Sequence, residues 1–352
     1  MSKLATLLLL LIVISSCNSN SSASQAATSA ATPGILKKDS LEPGMVIPSI
    51  ALRDYPGQAF ALYLPKTYSD SAKLPVIIFF DPHGDGTVPL NLYKDLAEQF
   101  QYILIGSNSS KNGMDLQQCT AIADNLVTEA EARFHVNQNK IAFCGFSGGA
   151  KVALLAAAGN AAVTSVIYCG AAAPLNTSHK LDLLGFAGTR DMNYTDVVAF
   201  DQSIKGSPHI HYLIEWNGKH EFPKPEVFKD AFQFLSTSTI EDYTKKHVTI
   251  TQQKLIEEQI IKQQLIPAFQ TQDLNWWKQE IAQFNTKKKN DVMYERLLGF
   301  ISLACYSYSN QALQQNNLPI AEKILAIYAL ADPGNTDCAK FTEELMRRKA
   351  SH

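Results

Sequence analysis

Between residues 59 and 237, short apolar and β-branched runs alternate with longer stretches whose apolar positions follow helical spacing. The runs are "VIIFF" at 76–80, "YILIG" at 102–106, "IAFCG" at 141–145, "SVIYCG" at 165–170 and "LLGFAG" at 183–188. They are nearly continuous in hydrophobicity, which is the pattern of parallel strands covered on both faces. "AFALYLP" at 59–65 alternates instead and predicts an antiparallel edge hairpin leading into the sheet. Helices are predicted over about 89–100, 115–134, 148–158, 193–203 and 224–236. The expected fold class is α/β, a doubly wound and mostly parallel sheet with its functional edge at the carboxyl ends of the strands.

Beyond about residue 240 the strand pattern stops. Gln, Lys, Glu and Leu take over in helical spacing, as in Ala321, Ile324, Leu325 and Tyr328. An all-helical region is therefore expected over 239–352, packing on the sheet region or presenting a surface to a protein partner. "NNLPIAEKILAIYALADPGN" at 316–335 resembles the second helix and terminal proline of a tetratricopeptide repeat, without a second register. Trp276, Trp277 and Tyr294 are read as core residues.

The N-terminus has a different character. Lys3 precedes an apolar run from Leu7 to Ile14, too short to span a bilayer but suited to a signal peptide. The run closes in "ISSC", which resembles a bacterial lipobox, so residues 1–17 are expected to be a lipoprotein leader with Cys17 lipidated. The Ser-, Ala- and Asn-rich stretch that follows cannot bury enough surface to fold and reads as a tether over 18–45, before a sheet domain over 46–238. A membrane anchor at the bacterial cell envelope, periplasmic or associated with the outer membrane, is the expected setting.

Composition narrows the remaining classes. The 352 residues are 46% hydrophobic and 18% charged, ordinary for one or two globular domains. A formal net charge of -2 offers no basic footprint, so nucleic acid is not an expected partner. With Cys17 set aside, Cys119, Cys144, Cys169, Cys305 and Cys338 are odd in number and lack C-x-x-C spacing, which argues against a disulfide framework. Cys144 and Cys169 end strand-like runs and read as core residues, with a pairing between them left open. Neither a Walker pattern nor a G-x-G-x-x-G helix opening follows the first strand, and no cofactor is expected.

The candidate chemistry begins at "IAFCGFSGGAK", residues 141–151. Ser147 lies between Gly145 and Gly149 in a G-x-S-x-G turn that joins a strand to a helix, which strains the serine and exposes its hydroxyl. The helix beginning at Gly148 aims its N–H groups at that oxygen. A serine needs a base, and His220 lies in the loop after the strand "HIHYLIEW". His209 and His211 alternate within that strand, and two ligands are too few for a metal site. For the acid, Asp191 lies just beyond the strand 183–188, with Asp196 and Asp182 as alternatives. The chain order Ser147, Asp191, His220 is that of a nucleophile-elbow fold.

Four segments carry a family resemblance: "FFDPHGDG" at 79–86, "CGFSGGA" at 144–150, "GTRD" at 188–191 and "GKHEFP" at 218–223. Together they resemble α/β-hydrolases of the secreted esterase and dienelactone-hydrolase type over residues 59–237. The resemblance implies a serine carboxylic ester hydrolase working by two-step acyl transfer. It also implies an oxyanion hole formed by Gly148 and by the Gly84 and Asp85 part of the loop after the first central strand, with His83 structural. Asp85 departs from the small or apolar residue common there, and its carboxylate must point away from a developing anion. The short span from Cys169 to Leu183 leaves no room for a lid, which disfavours an interfacial lipase. Polar loops at 107–114 and 171–180 suit a small or sugar-linked ester. A non-catalytic binding or scaffold lipoprotein and a serine peptidase are the alternative readings.

Overall fold

Among the described residues, the five apolar runs and three further segments form one sheet of eight strands: β1 (Val46–Ala51), β2 (Ala59–Tyr63), β3 (Leu74–Phe80), β4 (Ile103–Ser107), β5 (Val136–Phe146), β6 (Ser165–Cys169), β7 (Asp182–Gly188) and β8 (Ile210–Trp216). Their order across the sheet is β1-β2-β4-β3-β5-β6-β7-β8. This computed structural model describes residues 41–69, 71–243 and 251–350. The expected leader, Cys17 and the tether up to residue 40 lie outside the described residues. β2 pairs antiparallel with β1 and β4, and every other pairing is parallel.

The edge differs in one respect from the expected hairpin. β2 lies inside the sheet, and the outermost strand is β1, which the hydrophobic pattern did not signal. Pro48 sits in β1 where the register shifts between Ile47 and Ile50. An edge strand tolerates a proline at such an irregularity because one side of it needs no ladder bonds.

Successive side chains of each central strand enter opposite cores. Val76, Ile78 and Phe80 of β3 join one cluster, packed by α2 (Leu116–Arg133), α3 (Gly148–Gly159) and α4 (Tyr194–Ser203). Ile77 and Phe79 join the other, covered by α1 (Thr87–Phe100) and α5 (Pro225–Thr237). Both faces are thus dry, which is why the strands read as unbroken apolar runs. The second core is built on aromatic stacking: Tyr93 and Phe228 lie 3.8 Å apart at 12°, and Phe186 stacks on Phe228 at 5.5 Å.

Among the described residues, five helices follow: α6 (Gln252–Thr271), α7 (Leu274–Lys287), α8 (Met293–Gln314), α9 (Leu318–Ala331) and α10 (Thr336–Lys349). Four of them start at a capping side chain. Thr251, Asp273, Asn317 and Asn335 each accept from N–H groups of the first turn that have no intrahelical partner. These helices bury a core of their own around Trp277, Ile281, Leu297, Ile301, Ile324 and Tyr328, with Trp276 and Tyr294 packed against it. Leu255 of α6 joins the sheet core on the α2–α4 side. Cys119, Cys144, Cys169, Cys305 and Cys338 are free and buried, and burial pushes the Cys144 thiol well above its ordinary pKa.

Phe228 is fully buried among four aromatic rings. Phe228→Ala is expected to cost about 3–5 kcal/mol, because the rigid rings around it cannot collapse into the space. Urea denaturation of the variant beside the wild type measures this directly.

Candidate active site

β5 ends at Phe146 and α3 starts at Gly148, so a single residue, Ser147, turns the chain from strand to helix. Its φ of 53° and ψ of -122° fall in a region that costs a non-glycine residue about 1–3 kcal/mol. Two hydrogen bonds hold it there: Ser147 N–H donates to the Cys169 carbonyl at 2.9 Å, and Ala150 N–H donates to the Ser147 carbonyl at 3.0 Å. The flanking glycines are required because backbone meets backbone. A Cβ on Gly145 would lie 2.1 Å from the Gly149 oxygen, and one on Gly149 would lie 2.0 Å from the Phe80 oxygen.

The loop after β8 brings His220 to this turn. His220 Nε2 lies 2.9 Å from Ser147 Oγ, and Nδ1 lies 2.9 and 3.0 Å from the two oxygens of Asp191. The imidazole rests on Phe146 at 4.7 Å, Phe146 rests on Phe222 at 5.0 Å, and the Tyr93 hydroxyl donates to the Pro223 carbonyl at 2.7 Å. The His220 loop is therefore anchored to the aromatic core. Asp191 lies just past β7, with its side chain 2% exposed against 22% for His220. Its Oδ1 also accepts from Asn193 N–H at 2.8 Å.

The loops fix one another. Thr189 N–H donates to the Trp216 carbonyl at 2.8 Å, and Arg190 N–H to the Gly218 carbonyl at 3.0 Å, so the loops that carry Asp191 and His220 are tied together. Gly170 closes the arrangement from the end of β6. It has φ +63°, and a Cβ there would come within 2.9 Å of both Asp191 Oδ2 and the Phe146 ring. Sequence reasoning passed over Gly170; its signal was a glycine closing a strand-like run at the same level as Ser147.

This arrangement has a chemical consequence. A carboxylate facing Nδ1 can only accept, so that nitrogen carries the proton and Nε2 presents its lone pair to the serine hydroxyl. Gly148, as the first residue of α3, has an N–H with no intrahelical acceptor, beside the positive end of the helix dipole.

The other candidates lie elsewhere. Asp196 is exposed and accepts from Gln259, while Asp182 accepts from the Ser238 hydroxyl. His211 meets Asp201 at 3.0 Å, and His209 accepts from Leu181 N–H at 3.2 Å with its pKa lowered by burial and then by His179. His83 is a loop residue with an exposed side chain, and its backbone N–H donates to Asp81 Oδ1 at 2.8 Å. The Gly84 N–H donates to the Asp81 carbonyl at 3.1 Å, and the Asp85 N–H faces Asp81 Oδ1 at 3.4 Å, so both point into their own turn. The Asp85 carboxylate accepts from Thr87, away from Ser147. The group that stands against Gly148 is instead the carboxamide of Asn112, whose Oδ1 lies 1.8 Å from where a Gly148 Cβ would be. Asn112 belongs to the polar loop after β4, and nothing in its local sequence marks it out.

No protein-family model and no curated protein matches the sequence. Among solved structures, the chain is similar to a hyperthermophilic esterase from the archaeon Pyrobaculum calidifontis, at 13% identity and a TM-score of 0.46, over 56% of this chain and 87% of that one. It is also similar to Est1E from Butyrivibrio proteoclasticus, at 14% identity and a TM-score of 0.44, over 55% and 98%. An S-formylglutathione hydrolase from Agrobacterium tumefaciens is similar at 13% identity and a TM-score of 0.37, over 51% and 85%.

The contact between β5 and α3 yields a prediction with an internal control. A Cβ on Gly159, at the other end of α3, meets nothing within 4 Å. Gly159→Ala should be neutral or stabilising by up to about 1 kcal/mol, while Gly149→Ala should destabilise by more than about 2 kcal/mol. Thermal unfolding of the two variants separates these outcomes.

Proposed function

We propose that the protein is a serine carboxylic ester hydrolase of the α/β-hydrolase kind, with Ser147 as nucleophile, His220 as general base and acid, and Asp191 as its orienting carboxylate. The observation that carries this reading is the continuous hydrogen-bonded chain from Ser147 Oγ through the imidazole to Asp191, with 2.9 Å at each link. It is supported by the strained backbone of Ser147.

In the first step Nε2 takes the serine proton as Oγ attacks the ester carbonyl, and the new imidazolium is stabilised by Asp191. The tetrahedral oxyanion is held by Gly148 N–H. Asn112, whose carboxamide lies against Gly148, is the candidate second donor once its NH2 is turned toward the oxyanion. The imidazolium then protonates the departing alcohol. In the second step water, deprotonated by the same nitrogen, cleaves the acyl-serine.

The cleft beside the helix start supports a small substrate, although Ser147 and His220 are not among its lining residues. It has a volume of about 180 Å³ and is lined by Asp81, Ser110, Lys111, Asn112, Gly148 and Lys151 among others. That is small beside the roughly 300–1,000 Å³ typical of sites for drug-sized ligands. A short acyl group on a small or sugar-linked hydrophilic alcohol suits it. The leader and the "ISSC" tetrapeptide support action at the bacterial cell envelope, with the chain held by lipid on Cys17.

A fluorophosphonate probe tests the proposal. The folded full-length chain is expected to be labelled at Ser147, and Ser147→Ala to take up no label; an unlabelled folded wild type, or label on another residue, overturns the reading. On p-nitrophenyl acetate, His220→Ala is expected to lower kcat by about 10³-fold or more. Asn112→Ala should lower kcat by about 10²-fold with little change in KM, as loss of one oxyanion donor does.

A further inference from the structure

The loop that carries Asp191 is gripped from outside the sheet by buried charge. Glu258 and Lys262 of α6 and Arg296 of α8 are 0%, 5% and 3% exposed. Arg296 Nη2 and Nε donate to Glu258 Oε2 at 2.6 and 3.0 Å, and Nη1 donates to the Thr189 carbonyl at 2.7 Å. The guanidinium also lies over the Tyr194 ring, 4.7 Å from its centroid. Lys262 Nζ sits 3.2 Å from Glu258 and donates to the Met192 carbonyl at 2.7 Å and to Thr195 Oγ1 at 2.9 Å.

These contacts fall on both sides of one residue. Thr189 precedes Asp191 by two positions, and Met192 and Thr195 follow it, so the two cations hold the carbonyls that bracket the acid. A second tie reaches the base loop. Glu295 of α8 accepts two hydrogen bonds from Arg190 at 2.8 and 2.7 Å and lies 3.7 Å from Nζ of Lys219, the neighbour of His220. Arg190 holds the Glu295 carboxyl below its ordinary pKa, so the pair stays ionised at neutral pH. Burying three charges is costly unless each is fully partnered, and here the last hydrogen bonds of both cations are made to the acid loop rather than within the helices.

We propose that Arg296 and Lys262 are positioning residues, through which α6 and α8 hold Asp191 in line with His220. Their effect on turnover rests on the ester-hydrolase reading, whereas their effect on the geometry of the Asp191–His220 pair does not. The helical region is on this account a working part of the hydrolytic site, setting the aim of its acid from behind.

The test uses the full-length chain and two readouts: the far-downfield proton resonance of His220 Nδ1–H bonded to Asp191, and the rate of labelling by a fluorophosphonate. Lys262→Met and Arg296→Met are compared with Arg296→Lys, and with Leu325→Ala, which loosens the helical core without touching the loop. In the Met variants the resonance is expected to shift or vanish and labelling to slow by about tenfold or more, as displacement of a reacting group does. Arg296→Lys should restore part of both, and Leu325→Ala should keep both while lowering Tm. Met variants that lose Tm alone, with resonance and labelling rate intact, overturn the proposal. If they do not fold, Glu295→Gln on the half-exposed outer tie takes their place, with a smaller shift of the same kind expected and an unmoved resonance counting against the proposal. A wild type that shows the resonance but takes no label would remove the hydrolase reading alone, because the resonance still reports the positioning.

Discussion

The contact of backbone on backbone where β5 meets α3 is the constraint on which the site depends. Gly145, Gly149 and the Phe80 carbonyl come within distances that no Cβ could share. The strand can therefore run straight into the helix with one residue to turn on, and that residue takes the positive φ. The sheet supplies the rest. Because β5, β6, β7 and β8 are parallel neighbours, their following loops emerge at one edge, and Ser147, Gly170, Asp191 and His220 meet there although up to 73 positions separate them in sequence.

Much of this was legible in the residues for a clear physical reason. A central parallel strand is dry on both faces and cannot hide among polar residues, so β3 to β7 were visible as apolar runs. The elbow was visible because the strained turn admits so few residue types. β1 was not, since an edge strand is half exposed and Pro48 breaks its pattern. The surroundings of Gly148 were harder still. Within the Asp81–Asp85 turn the Gly84 N–H is spent on the Asp81 carbonyl while those of His83 and Asp85 face its carboxylate, and the approach of Asn112 to Gly148 joins two distant loops.

The buried charges were the least legible feature. Glu258 and Lys262 are four residues apart on a helix rich in Gln, Glu and Lys, which is the pattern of a solvated face. What makes them interior is the arrival of Arg296 from α8 and of the acid loop from the sheet, and neither is coded near them in the sequence. The two parts of the chain thus differ in how they are held. The sheet is fixed by its apolar cores, while the helices meet the loop after β7 through directed polar contacts and the sheet core through Leu255. Directed contacts set position more finely than apolar packing does, which suits a loop whose carboxylate must face an imidazole.

As the nucleophile of the proposed reaction, Ser147 becomes covalently acylated during turnover. Mass spectrometry of the full-length chain, acid-quenched during reaction with an activated short-chain ester, tests it most directly. A single acyl adduct is expected on the peptide containing Ser147, disappearing once the ester is consumed. Hydrolysis of the ester with no adduct at Ser147, or an adduct confined to another residue, would contradict it.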